Sequence, residues 1–572
     1  MNTTLSRCLT LARRIVQLPR LMKVCRLALN TLFRPRHAEN WLYWARFCER
    51  RKWPERAEAI YKRMIRLAPQ RGIYQAFLAS FYIEQQRLAE AEECLYAGLD
   101  LECSPHTEDR TRSVRTTNDL GEIQETLALL GVAKFDAGLY GEARQHWERA
   151  IDADPEHLRT YYQIWVALFS RGHFDLGDTY YQRHRQMQDR RRRREVAVDQ
   201  PGRYLTLMWS YQIGHLALLD GYFKLAKLGW RPDEPAVLLT AREHISNPYF
   251  LNLWRPLLKV VSDPDEMGRL EDSVPAREDY LPVFDVRRTG RWLNTACAMA
   301  QQEWERQDRP GLLQLDDETS ERAWQALEKL GVPRGSWFVG LHVRDSGYHR
   351  RRDDSAHAFR NADLDSYIPA VEAIVRRGGR VLRMGDPLKR TMPRVRGLID
   401  YANSRQRSDW MDIFLCARSR FFLGTQSGLS YVPNVFGVPT VMTNYISLGI
   451  PPWYGNDLFI PKLLFSNKKN RLLSFAEILH SRLGFTQCIG DFTRHEIAWI
   501  DNSADEIREV VEEMMDRLDN GSMMSHDDLQ QRWAELARAY DVVVNSRMGD
   551  AFLVRHQDLL EDTARRASRE AA

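Results

Sequence analysis

Short apolar runs alternate with amphipathic stretches through the second half of the chain. Trp337, Phe338, Val339 and Leu341 form one run, Val381 and Leu382 within the predicted strand Arg380 to Met384 a second, Phe421 to Leu423 a third, and Val441 and Met442 within the predicted strand Thr440 to Thr443 a fourth. Between them Tyr367, Ala370, Val371, Ile374 and Val375 recur at helical spacing, and Trp410 to Cys416 and Leu429 to Phe436 read as further helices. Strands and helices alternating in this way predict a parallel, doubly wound sheet. A helix over Ser320 to Leu330 leads through Gly331, Pro333 and Gly335 into its first strand.

Two of these strands end on polar groups. The first run breaks off at His342, Val343, Arg344 and Asp345, and the third ends in Gly424, Thr425, Gln426, Ser427 and Gly428. Open α/β sheets bind ligands at the carboxyl tips of their strands. A strand, a small-residue turn and a helix N-terminus also present backbone N–H groups to an anion. Asp386 follows Gly385 in the exit turn of the second run.

Toward the amino terminus the pattern repeats. From about Ala38, Ala57 and Ala91 are 34 residues apart, as are Ala143 and Gly177, and each is followed four positions later by a bulky residue, Tyr61, Leu95, Trp147 or Tyr181. Pro69 and Pro155 fall twelve residues after their alanines, where a second helix stops, and Ala45, Ala79 and Gly131 precede theirs by twelve. Small residues at these positions let two antiparallel helices touch, and the pattern resembles the tetratricopeptide repeat, whose stacked pairs form a groove. Ala91 and Ala143 are 52 residues apart, so 18 residues are inserted, and the polar stretch from Cys103 to Asn118 is the expected insert. Such a groove binds protein, or the repeats only brace their neighbour.

After Pro201 the period changes. Tyr204 to Trp209 predicts a strand, Tyr211 to His215 a loop with Gly214 at a tight turn, Leu216 to Leu228 a helix and Ala236 to Leu239 a second strand. From there to about Glu321 the pattern supports α/β and nothing finer. Beyond a cap at Asn502 or Ser503, helices are predicted over Ala504 to Leu518 and Asp527 to Val544.

A chain of 572 residues is too long for one core. The expected division is a basic amphipathic segment (1–37), a repeat domain (38–195), a first α/β lobe (200–325), a second lobe (326–500) and terminal helices (501–572). The net charge of +5 is a small difference between 82 basic and 77 acidic residues, so it gives no ground for nucleic acid as a partner. Eight scattered cysteines without a C-x-x-C pair predict reduced thiols in a cytoplasmic protein, not a disulfide or zinc framework. Residues 1–36 mix apolar residues with Arg7, Arg13, Arg14, Arg20, Lys23, Arg26, Arg34 and Arg36, so they contain no uncharged run long enough to span a bilayer. They read either as a cap on the repeats or as a peripheral helix on the inner face of a membrane. The run Arg190 to Arg194 reads as a solvated helix end or linker.

H-V-R-D after a strand, followed downstream by a strand ending G-T-Q-S-G-L-S, resembles the nucleotide-sugar-binding lobe of the GT-B glycosyltransferases. Within these it is similar to the fucosyltransferase-like group with an H-x-R motif, and to a bacterial family of glycosyltransferases with N-terminal tetratricopeptide repeats. The resemblance runs from about Gly335 to Asp505. It implies two Rossmann-like lobes of GT-B type behind an all-α repeat domain. It further implies a nucleotide diphosphate sugar as co-substrate, with a GDP-sugar favoured, and no other cofactor. The implied reaction is inverting transfer to a glycan, lipid-linked or protein acceptor in bacterial polysaccharide or glycoprotein biosynthesis. Arg344 would contact the diphosphate. Many fucosyltransferases carry a second arginine directly after that one; Asp345 stands there in this chain, which leaves the sugar open.

Transfer from such a donor needs positive charge on the departing diphosphate, a base for the incoming hydroxyl and a dry cleft. The planar fork of Arg344 can hold two phosphate oxygens as charge builds on them. His342 buttresses the loop or bonds a phosphate. Thr425, Gln426, Ser427 and Gly428 hold the second phosphate or the ribose, or form an ordinary turn. Asp386 contacts the base or ribose, or caps its turn. His215, expected to face the cleft from the acceptor side, is the candidate general base. Its alternative reading is a histidine that orients its loop. Asp345 is the other candidate base, or pairs with Arg350, Arg351 or Arg352. Asn361 bonds a sugar hydroxyl or opens a turn. Asp363, Leu364 and Asp365 spell D-x-D, but at a helix start, where acidic residues are favoured anyway, so no metal is expected. The competing class is a scaffold whose repeats do the work and whose transferase lobe is degenerate. A phosphoesterase or kinase reading finds neither G-x-x-x-x-G-K-[ST] nor H-E-x-x-H.

Overall fold

The computed structural model describes residues 38–103, 114–171, 173–195, 203–231, 233–273, 277–278, 283–286, 289–345, 355–386, 395–481, 483–485, 489–520 and 527–561. The chain forms two compact units that part near residue 190. The predicted segment 1–37 lies outside the described residues, as does the segment between Asp345 and Ser355, which includes Arg350, Arg351 and Arg352.

The first unit is mostly helical. Its described helices are α1 (Glu39–Arg50), α2 (Pro54–Leu67), α3 (Ile73–Glu84), α4 (Leu88–Cys103), α5 (Val114–Asp136), α6 (Tyr140–Ala153), α7 (Leu158–Ser170) and α8 (Phe174–Glu195). They pack as hairpins, α1 on α2, α3 on α4 and α5 on α6. Ala45, Ala57, Ala79, Ala91 and Ala143 are fully buried where the paired helices meet. A Cβ on Gly131 would lie 2.4 Å from the Trp147 indole nitrogen, so the large ring of one helix needs the small residue of the other. The carboxyl end of the predicted insert is helical: Val114 to Asn118 open α5, which runs for 23 residues where α3 has 12. Arg190 to Arg194 lie in the last turns of α8.

The second unit contains two parallel sheets. The smaller is built from β1 (Arg203–Leu205), β2 (Ala236–Leu239), β3 (Leu258–Val261) and β4 (Arg277–Glu278), in the order β3-β2-β1-β4. Helix α9 (Ile213–Lys227) joins β1 to β2, α10 (Pro248–Trp254) leads to β3, and α11 (Pro264–Ser273) follows it. Two corrections arise here. The predicted strand Tyr204 to Trp209 stops at Leu205 and becomes a 3-10 turn over Leu207–Trp209. The predicted loop is shorter, because the helix begins at Ile213, so Gly214 and His215 stand in its first turn. Gly214 is there to admit another backbone, as described below, and not to make a turn.

After the hairpin β5 (Val283–Val286) and β6 (Thr289–Trp292) come α12 (Leu293–Arg306) and α13 (Asp317–Lys329). The larger sheet then forms from β7 (Phe338–His342), α14 (Ile368–Arg376), β8 (Arg380–Arg383), β9 (Leu398–Ile399), α15 (Asp409–Arg418), β10 (Phe421–Thr425), α16 (Val432–Val435), β11 (Thr440–Tyr445) and β12 (Leu458–Pro461). A small antiparallel sheet of β13 (Leu463–Ser466), β14 (Arg471–Leu472) and β15 (Ile497–Ile500) carries α17 (Phe475–His480) and α18 (Ile489–Arg494). Helices α19 (Ala504–Asn520) and α20 (Asp527–Ala539), strand β16 (Arg547–Met548) and α21 (Asp550–Arg555) complete the described chain. The seven strands of the larger sheet run in the order β16-β12-β11-β10-β7-β8-β9, all parallel.

The period of two in these strands decides their packing. Val339, Leu341, Val381, Phe421 and Leu423 face a core shared with α14, α19 and α20. Phe338, Leu382, Met384 and Phe422 face a second core with α13, α15 and α16. Leu205, Leu238 and the apolar face of α9 belong to that same second core, so the two sheets are joined by continuous packing. α9 is tied further by Lys224, whose buried ammonium donates to Asp220 (2.6 Å), to Gln301 on α12 (2.7 Å) and to Tyr454 after β11 (3.3 Å). No helix among the described residues is long and apolar enough to cross a membrane.

Candidate functional site

Strand order picks out the site. The chain runs β7, β8, β9 outward in one direction, then returns to place β10 on the other side of β7. The carboxyl tips of β7 and β10 therefore flank a topological switch point, where open α/β sheets leave a crevice for ligands. The smaller sheet repeats this: β1, β2 and β3 run outward, and β4 returns to the far side of β1. The chain leaving the tip of β1 becomes the N-terminus of α9, and there a Cβ on Gly214 would fall 2.6 Å from the Cα of Gly428, just beyond β10. The two switch points thus meet at a contact between glycines.

At the tip of β7, His342 is buried between β8 and β10. Its Nδ1 shares a 2.9 Å hydrogen bond with Ser427 Oγ. Its other edge lies on Gly385, where a Cβ would be 2.6 Å from the ring, and where the backbone φ of +97° favours glycine in any case. Burial, then the charges of Arg383 and Arg344, push the His342 pKa down to about 4. The ring is neutral near pH 7 and a poor base. Ser427 also bonds Ser430 (3.1 Å), which donates to the Thr425 carbonyl (2.7 Å), so the turn after β10 is closed on itself.

Arg344 is 7% exposed. Its amide donates to Thr425 Oγ1 (3.0 Å), its carbonyl accepts from the Ala362 amide, and its Nε donates to Asn361 Oδ1 (3.1 Å). Asn361 is thus engaged with the arginine. Gln426 donates to Ser447 (2.9 Å) and accepts from the Ile446 amide (3.3 Å), so its side chain ties β10 to the segment after β11. Thr425 and Gln426 are buried at the tip of β10, and Ser427 and Gly428 beyond them are partly exposed.

His215 stands one residue from the glycine contact. Its Nδ1 is 2.6 Å from the Met208 carbonyl; a carbonyl only accepts, so Nδ1 carries the proton. Burial lowers its pKa, opposed by that hydrogen bond. Asp345 directly follows Arg344 and is half-buried. Asp386 is farther out, at the exit of β8: its carboxylate pairs with Arg407 (3.2 Å), and its carbonyl accepts from Arg383 (2.9 Å). Asp363 accepts from the Asp365 amide (3.2 Å) and opens a helical turn, as the cap reading of D-x-D expects. Among the described residues no group of three or more His, Cys, Asp or Glu is arranged to hold a metal ion.

Two further buried cations stand at the site. Arg383 pairs with Asp400 (2.7 Å) beside His342. Lys462, after β12, donates to the Asn361 carbonyl (2.7 Å) and to Asp501 (2.6 Å). The available signal was a charge inside an apolar run, V-L-R-M and F-I-P-K-L-L.

No family model matches the sequence, and no curated protein matches it. Among solved structures, the chain is similar to one titled as MamA, with 16% identity, 29% of this chain and 87% of that one covered, and a TM-score of 0.21. It is similar to a glycosyl transferase family 9 protein from Veillonella parvula, with 12% identity, 42% and 80% covered, and a TM-score of 0.27. It is also similar to a mutant O-GlcNAc transferase of Thermobaculum terrenum, with 12% identity, 94% and 99% covered, and a TM-score of 0.21. At TM-scores this low the overlaps carry no argument, and the fold rests on strand order and register.

Proposed function

We propose that the second unit transfers a sugar from a nucleotide diphosphate sugar, with a GDP-sugar favoured, to a hydroxyl of a glycan, lipid-linked or protein acceptor. The observation that carries this reading is the meeting of two switch points at Gly214 and Gly428, with Arg344 on one side and His215 on the other. Two doubly wound sheets opposed in this way resemble the two lobes of the GT-B glycosyltransferases, one for donor and one for acceptor.

In this reading Arg344 and the amides of the Ser427–Gly428 turn take up the charge that builds on the leaving diphosphate. His342, neutral and bonded to Ser427, holds that turn in place. The unprotonated Nε2 of His215 takes the acceptor proton as the new glycosidic bond forms on the face opposite the leaving group, which inverts the anomeric centre. Asp345 is the alternative base. Asp386 and its surroundings meet the ribose or base. Charge on the diphosphate is met by arginine, so no metal is required. The repeat unit recruits a protein partner or the acceptor.

The test is turnover of GDP-, UDP-, ADP- and dTDP-sugars by the full chain in EDTA, read as nucleoside diphosphate released. One donor should be consumed, slowly without acceptor, and Arg344→Ala should stop it. Loss of activity in EDTA with recovery in manganese would contradict the metal-free reaction. No release and no binding of any donor would favour the scaffold reading.

A further inference from the structure

The orientation of Arg344 is set by residues distant in sequence. The guanidinium sits on a long side chain with several rotatable bonds, and a freely rotating arginine loses much of the benefit of its rigid fork. Here the Nε edge is held by Asn361 Oδ1 at 3.1 Å, and the Arg344 carbonyl is held by the next amide, that of Ala362, at 3.0 Å. The pair Asn361 and Ala362 therefore clamps both the side chain and the main chain of Arg344.

That clamp is itself anchored. The Asn361 amide donates to the Ala358 carbonyl (3.0 Å), and the Asn361 carbonyl accepts from Lys462 Nζ (2.7 Å). The main chain of Lys462 is bonded to the Tyr445 carbonyl at the tip of β11 (2.9 Å), and its side chain is fully buried. Its second partner, Asp501, is 44% exposed. An ammonium this buried is costly when its one carboxylate is half in water. A neutral donor would tie the same two segments together more cheaply. A positive charge at this point also adds to the field that Arg344 presents to an anion.

We propose that Lys462 and Asn361 form a relay that aims Arg344 at the donor diphosphate, which makes both of them positioning residues. The inference rests on the reading of Arg344 given above.

The test uses the full chain and isothermal titration with GDP, UDP and ADP and with the corresponding nucleosides, on the wild type, Asn361→Ala, Asn361→Asp and Lys462→Met. Lys462→Met keeps the length of the side chain and leaves Asp501 in contact with water, so it should fold. Losing a hydrogen bond to a charged group should weaken the diphosphate by about tenfold to a hundredfold. Binding of the nucleoside should not change. Asn361→Asp keeps the contact but neutralises Arg344, and it should weaken the diphosphate as much as Asn361→Ala. If the wild type binds a diphosphate and the variants bind it equally well, or if diphosphate and nucleoside weaken together, the relay is wrong while the function stands. If no diphosphate binds the wild type, both are wrong.

Discussion

Gly214 opens α9, behind β1 of the smaller sheet, and Gly428 follows β10 of the larger one, and their backbones touch: a Cβ on Gly214 would lie 2.6 Å from Gly428 Cα, and one on Gly428 would lie 2.9 Å from the Gly214 nitrogen. Backbone atoms cannot rotate away as a side chain can. Gly214→Ala and Gly428→Ala should each force α9 from the β10 turn and cost about 1–3 kcal/mol in urea unfolding. They should also lower turnover in the fraction that folds. Either alanine tolerated with full stability and activity would mean that the sheets do not meet there.

His342 makes stability depend on pH. Its folded pKa is about 4 against an ordinary value near 6.5, so between these limits the unfolded chain binds a proton that the folded chain does not. Its contribution is complete above pH 6.5 and is lost as the pH falls toward 4, by up to about 3 kcal/mol. His342→Gln should flatten the wild-type slope across that window. Parallel curves for the two proteins would mean that the ring titrates normally.

A general-base role for His215, as proposed above, predicts an acid limb in the pH profile. Burial lowers the His215 pKa, so activity should fall only below the ordinary histidine range, and His215→Ala should lose both the rate and the limb. A limb that survives in His215→Ala and disappears in Asp345→Asn would assign the base to the carboxylate.

Asn444, buried beyond the middle of β11, has φ +52° and exchanges hydrogen bonds with Asn502: each backbone amide donates to the other side chain. Asn444→Gly loses the bonds made by the Asn444 side chain, from the Asn502 amide and to Tyr367, but keeps the main-chain bond to Asn502 and the conformation, whereas Asn444→Ala loses the same side-chain bonds and strains the backbone as well. Alanine should therefore be worse than glycine by about 1 kcal/mol in equilibrium unfolding. Equal losses would mean that the backbone there carries no strain.

What the sequence made legible follows from physical range. β2 is an apolar run of four residues after Pro235, and β8 sets Val381 and Leu382 between two arginines and between Gly379 and Gly385, and both read almost to the residue. β10 continues past Leu423 to Thr425 because Gly424 and Thr425 are paired with β11, and Gly424 with His342 as well, which no local pattern reveals. β16 is two residues long, too short for any periodicity, yet it closes one edge of the large sheet. Gly214 looked like a turn because glycine usually marks one; its actual partner is Gly428, far along the chain. Arg344 stood out at a strand tip, whereas the contacts that orient it come from Asn361 and, through it, Lys462. Contacts between distant segments are fixed by topology, and topology becomes visible only once the strands are ordered.

In the proposed function Arg344, at the β7 and β10 switch point, receives a nucleoside diphosphate. Thermal unfolding of the full chain with GDP, UDP, ADP and dTDP, for the wild type and Arg344→Ala, tests it most directly. A ligand at a hundredfold over its dissociation constant adds about 2.7 kcal/mol, roughly a few degrees for a unit of this size. One diphosphate should raise the wild-type transition by that much and leave Arg344→Ala unmoved. A shift of equal size in both proteins, or none with any diphosphate, would contradict it.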